Sequence, residues 1–306
     1  MTIRPIVFII SLKGSSRLER ITNRLRDINI EYKIIRGIDG NKINKKKKLH
    51  FFYDKDKTIK NLGRELYPAE VGGCASHLKT YKYILKNNIK NAIIMEDDAY
   101  PSSYMYDWIK ACIEIEDNLI LGFYAYPTDS LIEKKIYRSF SNLHVTINLA
   151  TTQVCNCSCY QINFETCKNI LKFNGKKVNN IADWPFSRIK HKIKIAVTIP
   201  FMVIIDDRNT ASISNLREKI FKRSFYYKLS KFIFFRYFLK AIKYLYYILF
   251  IPFLTRKYKN IFFYYETFVE KKIKNFLNFF SKKCYNTNDI YYDPKFYIRD
   301  ISKLIK

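Results

Sequence analysis

Residues 66–99 read LYPAEVGGCASHLKTYKYILKNNIKNAIIMEDDA and predict a turn, a helix, a buried strand and an acidic end, in that order. Pro68 and Glu70 are typical of a helix start, because proline suits a position whose N–H lacks a partner and glutamate complements the positive helix end. Asn87 and Asn88 indicate where the helix ends. Apolar residues at three- and four-residue steps predict one face that packs on a sheet: Val71, Cys74, Ala75, Leu78, Tyr81 and Leu85.

The acidic end of this stretch is the first candidate for a functional site. Residues 92–95 are a short apolar run typical of a buried parallel strand, and Glu96, Asp97 and Asp98 follow directly. Ligands of open α/β sheets bind at the carboxyl ends of strands. Alternation along an extended chain predicts Glu96 and Asp98 on one side and Asp97 on the other. Two oxygen ligands suit Mn²⁺ or Mg²⁺, whereas a solvated acidic turn is the alternative interpretation.

The beginning of the chain predicts a β-α-β unit. Residues 5–11 are expected to form the first, central strand, and Ser15 or Ser16 to cap a helix that runs to Arg26. Residues 32–35 predict a second strand. The glycine fingerprint of dinucleotide-binding folds does not occur here, so a nucleotide-sugar site that uses acids and a metal is more consistent with the sequence.

Two sequence motifs together resemble a known family. The first is Leu66–His77, LYPAEVGGCASH, followed by Met95–Ala99, MEDDA; the second is Ile6–Lys13, IVFIISLK, with Arg17–Arg20, RLER. Their order and spacing resemble glycosyltransferase family 25, whose bacterial members extend lipooligosaccharide. The resemblance is strong over residues 4–100, weaker to about 215, and stops there.

This resemblance implies an α/β fold with a nucleotide-sugar-binding, Rossmann-like sheet of the GT-A type and helices on both faces. It implies an inverting, metal-assisted transferase that uses UDP-galactose or a related UDP-sugar as donor. The implied acceptor is the growing glycan of a lipid-linked surface oligosaccharide, and the implied cofactor is Mn²⁺ or Mg²⁺.

The same resemblance suggests the metal and catalytic residues. Asp98, with Glu96 or Asp97, is expected to hold the cation, and Asp97 is also a catalytic candidate. Asp183 is the candidate general base that deprotonates an acceptor hydroxyl. The alternative for Asp183 is a helix N-cap before Trp184 and Pro185, and the two roles are compatible.

Four residues are candidates for donor binding. Arg17, just after the first strand, would reach the nucleotide diphosphate, and the alternative is a surface arginine on the first helix. His77, expected early in its helix, would contact the donor or order the carboxylates, unless it is a hydrogen-bonded structural histidine. Leu12, at the end of the opening strand, and Glu96 complete this set.

Charge and cysteine content limit the cellular setting. Fifty-five Lys and Arg against 27 Asp and Glu give the 306-residue chain a net charge of +28, which favours polyanionic neighbours unless it reflects a lysine-rich proteome. Nucleic-acid motifs do not accompany this charge, so an anionic lipid surface ranks ahead of DNA. Cys155, Cys157 and Cys159 are interpreted as reduced structural thiols, and the short apolar run 6–10 does not fit a signal peptide. We therefore expect a cytoplasmic protein, peripheral on the inner face of a bacterial cell membrane.

The sequence predicts two regions, a catalytic domain over 1–215 and a basic, aromatic-rich helical region over 216–306. Residues 244–254 are apolar or aromatic but give only about half of the ~20 residues that a spanning helix needs. Interfacial helices on a membrane explain the mixture of basic and aromatic residues, and a helical hairpin packed on the catalytic domain is the alternative. Residues 41–60 predict a solvated, lysine-rich loop.

Two other functional classes are compatible with parts of the sequence. A non-catalytic basic protein that binds a membrane surface or nucleic acid would explain the charge but not the acids at the strand end. A metal-dependent nuclease or phosphatase would use acids and a cation, and would need no acceptor sugar.

Overall fold

The computed structural model describes residues 4–62, 64–124, 131–150, 157–175, 177–182, 193–205 and 284–286. Six α-helices occur in these ranges: α1 (Arg17–Asp27), α2 (Gly40–Lys45), α3 (Lys55–Leu62), α4 (Pro68–Lys86), α5 (Tyr104–Lys110) and α6 (Phe164–Asn174). The strands in the same ranges are β1 (Ile6–Ser11), β2 (Tyr32–Arg36), β3 (Asn91–Glu96), β4 (Ala99–Pro101), β5 (Leu119–Gly122), β6 (Leu131–Phe140), β7 (Val145–Ala150), β8 (Cys159–Asn163), β9 (Lys194–Ile199), β10 (Val203–Ile205) and β11 (Cys284–Asn286).

Nine of these strands form one mixed sheet in the order β11-β6-β7-β9-β5-β8-β3-β1-β2. β1 pairs in parallel with β2 and β3, whereas β8 runs antiparallel to β3 and β5. The α/β fold with a large central sheet is therefore confirmed, and its opening β-α-β unit is consistent with a Rossmann-like arrangement. The prediction that β1 is central is wrong: β1 lies next to the edge strand β2, because the other six strands of this sheet extend it beyond β3, while β4 and β10 pair separately.

The core is densest around β3 and β1. Residues Ala92 to Met95 are all fully buried, so β3 is covered on both faces, as the continuous apolar run predicts. β2 leaves most of its residues exposed at the sheet edge. Helix α4 ends at Lys86 with Asn87 as its C-cap, and Asn88 has a φ of 51°, a left-handed conformation that asparagine tolerates.

Residues 41–60 correct a second prediction, since they form α2, a 3-10 turn (Leu49–Phe51) and most of α3 rather than a loop. Two aspartates start these helices. Asp39 accepts a hydrogen bond from the Lys42 N–H and Asp54 accepts one from the Lys57 N–H. Short helices with such N-caps carry little periodic signal, which is why the lysine-rich composition was misleading.

The start of α4 packs closely against the start of α2. A Cβ added to Gly40 would lie 1.6 Å from the Pro68 carbonyl oxygen, and one added to Gly72 would lie 2.5 Å from the Ile38 carbonyl oxygen. Glu70 closes the helix start by accepting a hydrogen bond from the Tyr67 N–H at 2.9 Å. Glycine at both positions is therefore a steric requirement.

The two-region division cannot be followed in the structure, because only residues 284–286 of the 216–306 region are described. They form β11, which pairs with β6. The apolar run 244–254 lies outside the described residues. In the described ranges, we find no helix with the length and apolar character needed to cross a membrane.

Gly72→Ala should lower the free energy of unfolding by roughly 1–3 kcal/mol, because its Cβ would overlap backbone atoms that have little room to move. The matched control is Gly73→Ala in the same helix, where a Cβ meets nothing within 4 Å. That control should stabilise the protein by up to about 1 kcal/mol through helix propensity. Denaturant unfolding measures both, and equal effects of the two substitutions would contradict the close packing.

Candidate functional site

The candidate site lies where β1 and β3 end side by side. Their parallel register pairs Ile10 with Glu96, so the residues that follow each strand lie at the same edge of the sheet. The Ser11 hydroxyl, at the end of β1, donates a hydrogen bond to Asp97 Oδ2 at 2.8 Å. Sequence reasoning did not identify Ser11. Its only signal is a hydroxyl residue that closes an apolar strand.

The three carboxylates do not alternate as predicted. β3 ends at Glu96, and Asp97 and Asp98 form a turn before β4. Asp97 and Asp98 therefore face the same cation, Arg17, whereas Glu96 contacts a helix. The alternation rule holds only for extended backbone, and the extended backbone stops at Glu96.

Arg17 binds both aspartates from the first turn of α1. Its guanidinium lies 2.7 Å from Asp97 Oδ1 and 3.5 Å from Asp98 Oδ2. The Asp97 side chain is buried, whereas Arg17 is about a quarter exposed, at 27%. The guanidinium therefore compensates the acids on one side and can be approached by solutes on the other.

His77 holds the third carboxylate. Its Nε2 lies 2.9 Å from Glu96 Oε1, and its Nδ1 lies 2.8 Å from the Tyr160 hydroxyl. The Tyr160 hydroxyl lies in turn 2.6 Å from that of Tyr81. His77 is midway along α4 and buried, so the expectation that it lies early in its helix is wrong. These contacts are compatible with both roles considered for it, ordering of the carboxylates and a hydrogen-bonded structural histidine.

The surroundings of Glu96 and Asp98 shift the pKa values of these two carboxyl groups in opposite directions. Burial raises the pKa of Glu96, but the hydrogen bond and charge of His77, with Cys157 and Arg17, outweigh it and leave that pKa below its usual range. For Asp98, burial and the neighbouring charge of Glu96 raise the pKa to about 7, with only partial compensation from Arg17. Glu96 is therefore ionised at neutral pH, whereas the pKa of Asp98 lies close to neutral pH.

Asp98 also has an oxygen without a hydrogen-bond partner. Its Oδ1 is buried and accepts no hydrogen bond from any residue in the described ranges. A buried carboxylate oxygen in this condition is costly unless a cation compensates it. The residues present therefore fit a divalent cation of the Mn²⁺ or Mg²⁺ kind, with Asp98 as a ligand. The negative charge of Glu96 lies close enough to raise the pKa of Asp98.

A second donor set shares Glu96. His77, Glu96 and Cys157 each offer a ligand atom, and these atoms lie within 4.8 Å of one another. Cys157 Sγ is 3.5 Å from Glu96 Oε1. Nitrogen and sulfur donors suit softer ions such as Zn²⁺ rather than the hard cation that the sequence predicted. The sequence predicts a structural thiol at Cys157 and gives no indication of its contact with Glu96.

Two candidates remain, Leu12 and Asp183. Leu12 follows β1 and is exposed at the same edge of the sheet. Asp183 lies outside the described residues, but the chain before it is described. Val178 and residues 180–182 line a cleft together with His77 and Tyr81 of α4. The described chain before Asp183 and His77 therefore border the same cleft.

Comparison with known proteins gives one family. A model of glycosyltransferase family 25, described as an LPS biosynthesis protein family, matches residues 4–184. The match covers more than half of the 306-residue chain, from β1 to the residue after Asp183. A search among curated proteins finds no match.

Asp98→Asn should stabilise the metal-free protein at pH 8. Because the folded-state pKa of about 7 lies above the usual 3.8, the native state binds more protons than the unfolded state between those values. Stability contributed by this group is therefore lost as pH rises from about 4 to 7, and the substitution should restore roughly 1–3 kcal/mol at pH 8.

Chelator-treated protein should be unfolded with denaturant at pH 4.5 and pH 8 to measure this difference. Asp97→Asn is the matched control and should destabilise at pH 8, because it weakens the contacts with Arg17 and Ser11. Destabilisation of equal size by both substitutions would refute the proposed electrostatic environment of Asp98.

Proposed function

The chain belongs to glycosyltransferase family 25, and on that premise we propose that it transfers a sugar from a UDP-sugar to a glycan acceptor of the lipopolysaccharide or lipooligosaccharide type. Galactose is the sugar we propose. We further propose a GT-A type site, inversion at the anomeric carbon and assistance from Mn²⁺ or Mg²⁺. Family membership favours this function over the non-catalytic basic protein and over the nuclease or phosphatase.

One observation carries the proposal, namely the unpartnered, buried Oδ1 of Asp98 beside Glu96 at the carboxyl end of β3. Oxygen donors at this position in an α/β sheet suit a cation that also binds phosphates. We propose Asp98 and Glu96 as its protein ligands. When bound, the cation would supply positive charge that offsets the charge developing on the diphosphate leaving group.

Arg17 is proposed to serve the same leaving group. Its guanidinium already lies against Asp97 and Asp98, and its partial exposure leaves donor N–H groups within reach of a phosphate. Asp97, held by the Ser11 hydroxyl, would orient Arg17. Leu12, exposed at the end of β1, would offer an apolar contact to the donor.

His77 is proposed to position Glu96 rather than to touch the reacting atoms. It is buried, and both ring nitrogens have partners, Glu96 and Tyr160. A histidine held at both nitrogens fixes the rotamer of the carboxylate that it contacts. It would therefore affect donor binding through Glu96.

The proposed reaction is a single displacement. The acceptor hydroxyl oxygen attacks the anomeric carbon, the bond from that carbon to the diphosphate oxygen breaks, and UDP leaves with the bonding electrons. The proton of the hydroxyl passes to a carboxylate, for which we propose Asp183. Attack opposite to the leaving group inverts the anomeric configuration.

The proposed cellular setting follows from the acceptor. A lipid-linked oligosaccharide is presented at a membrane, and we propose that the protein acts in the cytoplasm, peripherally on the anionic inner face. We retain the division into a catalytic domain over 1–215 and a membrane-associating region over 216–306 as a proposal. We propose no specific nucleic-acid partner.

Binding of UDP-galactose should depend on Mn²⁺ and on Asp98. Asp98→Ala should weaken donor binding in the presence of Mn²⁺ by more than tenfold, because even loss of an outer-shell partner costs about 10–100-fold in a metal site. Calorimetry with and without Mn²⁺ measures this. Asp107→Ala on α5, an exposed acid, is the control and should bind normally. Metal-independent binding that tolerates Asp98→Ala would overturn the metal assignment.

Asp183→Asn distinguishes the proposed role of Asp183 as general base from its alternative role as a helix N-cap. Asparagine caps a helix about as well as aspartate does, so the substitution should leave the melting temperature and donor affinity unchanged. Loss of a general base should lower kcat by roughly 10²–10⁴-fold. Turnover of UDP-galactose with an isolated oligosaccharide acceptor measures this. A variant that retains full kcat would show that Asp183 is not the base.

A further inference from the structure

A surface rich in lysine and phenylalanine lies beside the candidate site, and no step of the proposed reaction uses it. We name residues 41–60 the lysine–phenylalanine surface; its sequence is NKINKKKKLHFFYDKDKTIK. Three large apolar side chains are exposed on it: Phe51 at 62%, Phe52 at 38% and Ile59 at 39%. Isolated exposed apolar residues are ordinary, but three within nine residues among lysines form a patch.

The backbone of this surface is fixed to the domain. Phe52 and Asp54 both pair with Val178: the Val178 N–H donates to the Phe52 carbonyl at 2.8 Å, and the Asp54 N–H donates to the Val178 carbonyl at 2.9 Å. The buried Tyr53 between them accepts a hydrogen bond from the Leu66 N–H at 2.8 Å. The Tyr53 side chain is therefore held inward, whereas Phe51 and Phe52 are exposed.

The charge of this surface is strongly positive. It contains eight lysines and two aspartates, and Asp54 is engaged in capping α3. Lys42 pairs with Asp39 and Lys55 with Glu65. Lys45 to Lys48 are all exposed and make no ion pair with any residue in the described ranges. Four adjacent, uncompensated lysines next to exposed phenyl rings favour an anionic partner with an apolar layer.

The position of the surface relates it to the site. β2, β1 and β3 are parallel neighbours, so their carboxyl ends share one edge of the sheet. The surface begins directly after the carboxyl end of β2, and Gly40 lies against Pro68 at the start of α4. It therefore borders the edge at which Glu96, Asp97 and Asp98 lie.

We propose that the lysine–phenylalanine surface docks the protein onto an anionic lipid bilayer, with Phe51 and Phe52 entering the headgroup region. Lysines attract anionic lipid, and aromatic side chains partition to the interface. A soluble polyanion such as polyphosphate would satisfy the lysines but would leave the apolar side chains in water. Such docking would bring a lipid-linked acceptor to this edge of the sheet. Only this last step, the identity of the acceptor, rests on the proposed function.

Insertion can be measured at the surface itself with Phe51→Trp in the full-length chain. Vesicles of phosphatidylcholine with and without phosphatidylglycerol, carrying brominated acyl chains, should quench the introduced tryptophan only when the anionic lipid is present. The wild type, with its native Trp108 and Trp184, gives the background signal. Substituting Lys45, Lys46, Lys47 and Lys48 together by glutamine should weaken vesicle binding by roughly 100-fold or more.

The matched control substitutes four other exposed lysines by glutamine, namely Lys82, Lys86, Lys110 and Lys172. It removes the same charge and should reduce binding by less than about tenfold, since long-range attraction falls off within a Debye length. Equal losses of vesicle binding in the two variants would show that net charge alone determines binding, and would overturn the proposal.

Three further results would overturn it. If vesicles bind the chain without quenching the introduced tryptophan, docking occurs elsewhere. If its emission is already blue-shifted and unaffected by vesicles, the surface is covered by protein. Tight binding of soluble polyphosphate with no vesicle quenching would assign the lysines to a soluble polyanion instead. Donor binding is measured without vesicles, so failure of the proposed transferase function is distinguished from failure of the docking surface.

Discussion

The negative charge of Glu96, Asp97 and Asp98 is the constraint on which the arrangement of this domain depends. Three adjacent carboxylates at the end of a buried strand repel one another and lose hydration, so each needs a compensating group. Arg17 and Ser11 contact Asp97, and His77 contacts Glu96. Asp98 has the more distant Arg17 and a backbone hydrogen bond, and keeps one buried oxygen unpartnered among the described residues. The remaining imbalance at Asp98 is what makes the cluster a candidate cation site.

Helix α4 connects this constraint to the rest of the fold. Its first turns pack against α2 through Gly72 and Gly40, and its middle brings His77 to the carboxyl end of β3. Tyr81, one turn later, reaches Tyr160 of β8, so the hydrogen-bonded chain also fixes the antiparallel neighbour of β3. A displacement of α4 along its axis would therefore separate His77 from Glu96 and leave that carboxylate uncompensated. The packing of α4 therefore also determines the orientation of the Glu96 carboxylate.

Local patterns account for what the sequence predicted correctly. The helix α4, the buried strand β3 and the helix after β1 depend on periodicity and on residues close in the chain. The predicted serine cap differs, because Ser16 occupies the N-cap position without a side-chain hydrogen bond to the helix. Asp97's partner Ser11 lies 86 residues away, and Tyr160 lies 83 residues from His77, so no local pattern indicates these contacts. The position of β1 next to the edge strand β2 also follows from strand order, which periodicity does not encode. The helices in residues 41–60 had a readable signal in Asp39 and Asp54, which the lysine-rich composition obscured.

The most direct test of the proposed cation site is anomalous diffraction from crystals soaked with Mn²⁺ and UDP. A manganese peak within coordination distance of Asp98 Oδ1, shared with Glu96 and the diphosphate, is the result that we predict. A peak held only by His77, Glu96 and Cys157 would assign the metal to the second donor set. No peak, with UDP bound elsewhere, would show that the three carboxylates serve the fold and that their charge is balanced by Arg17 and His77 alone.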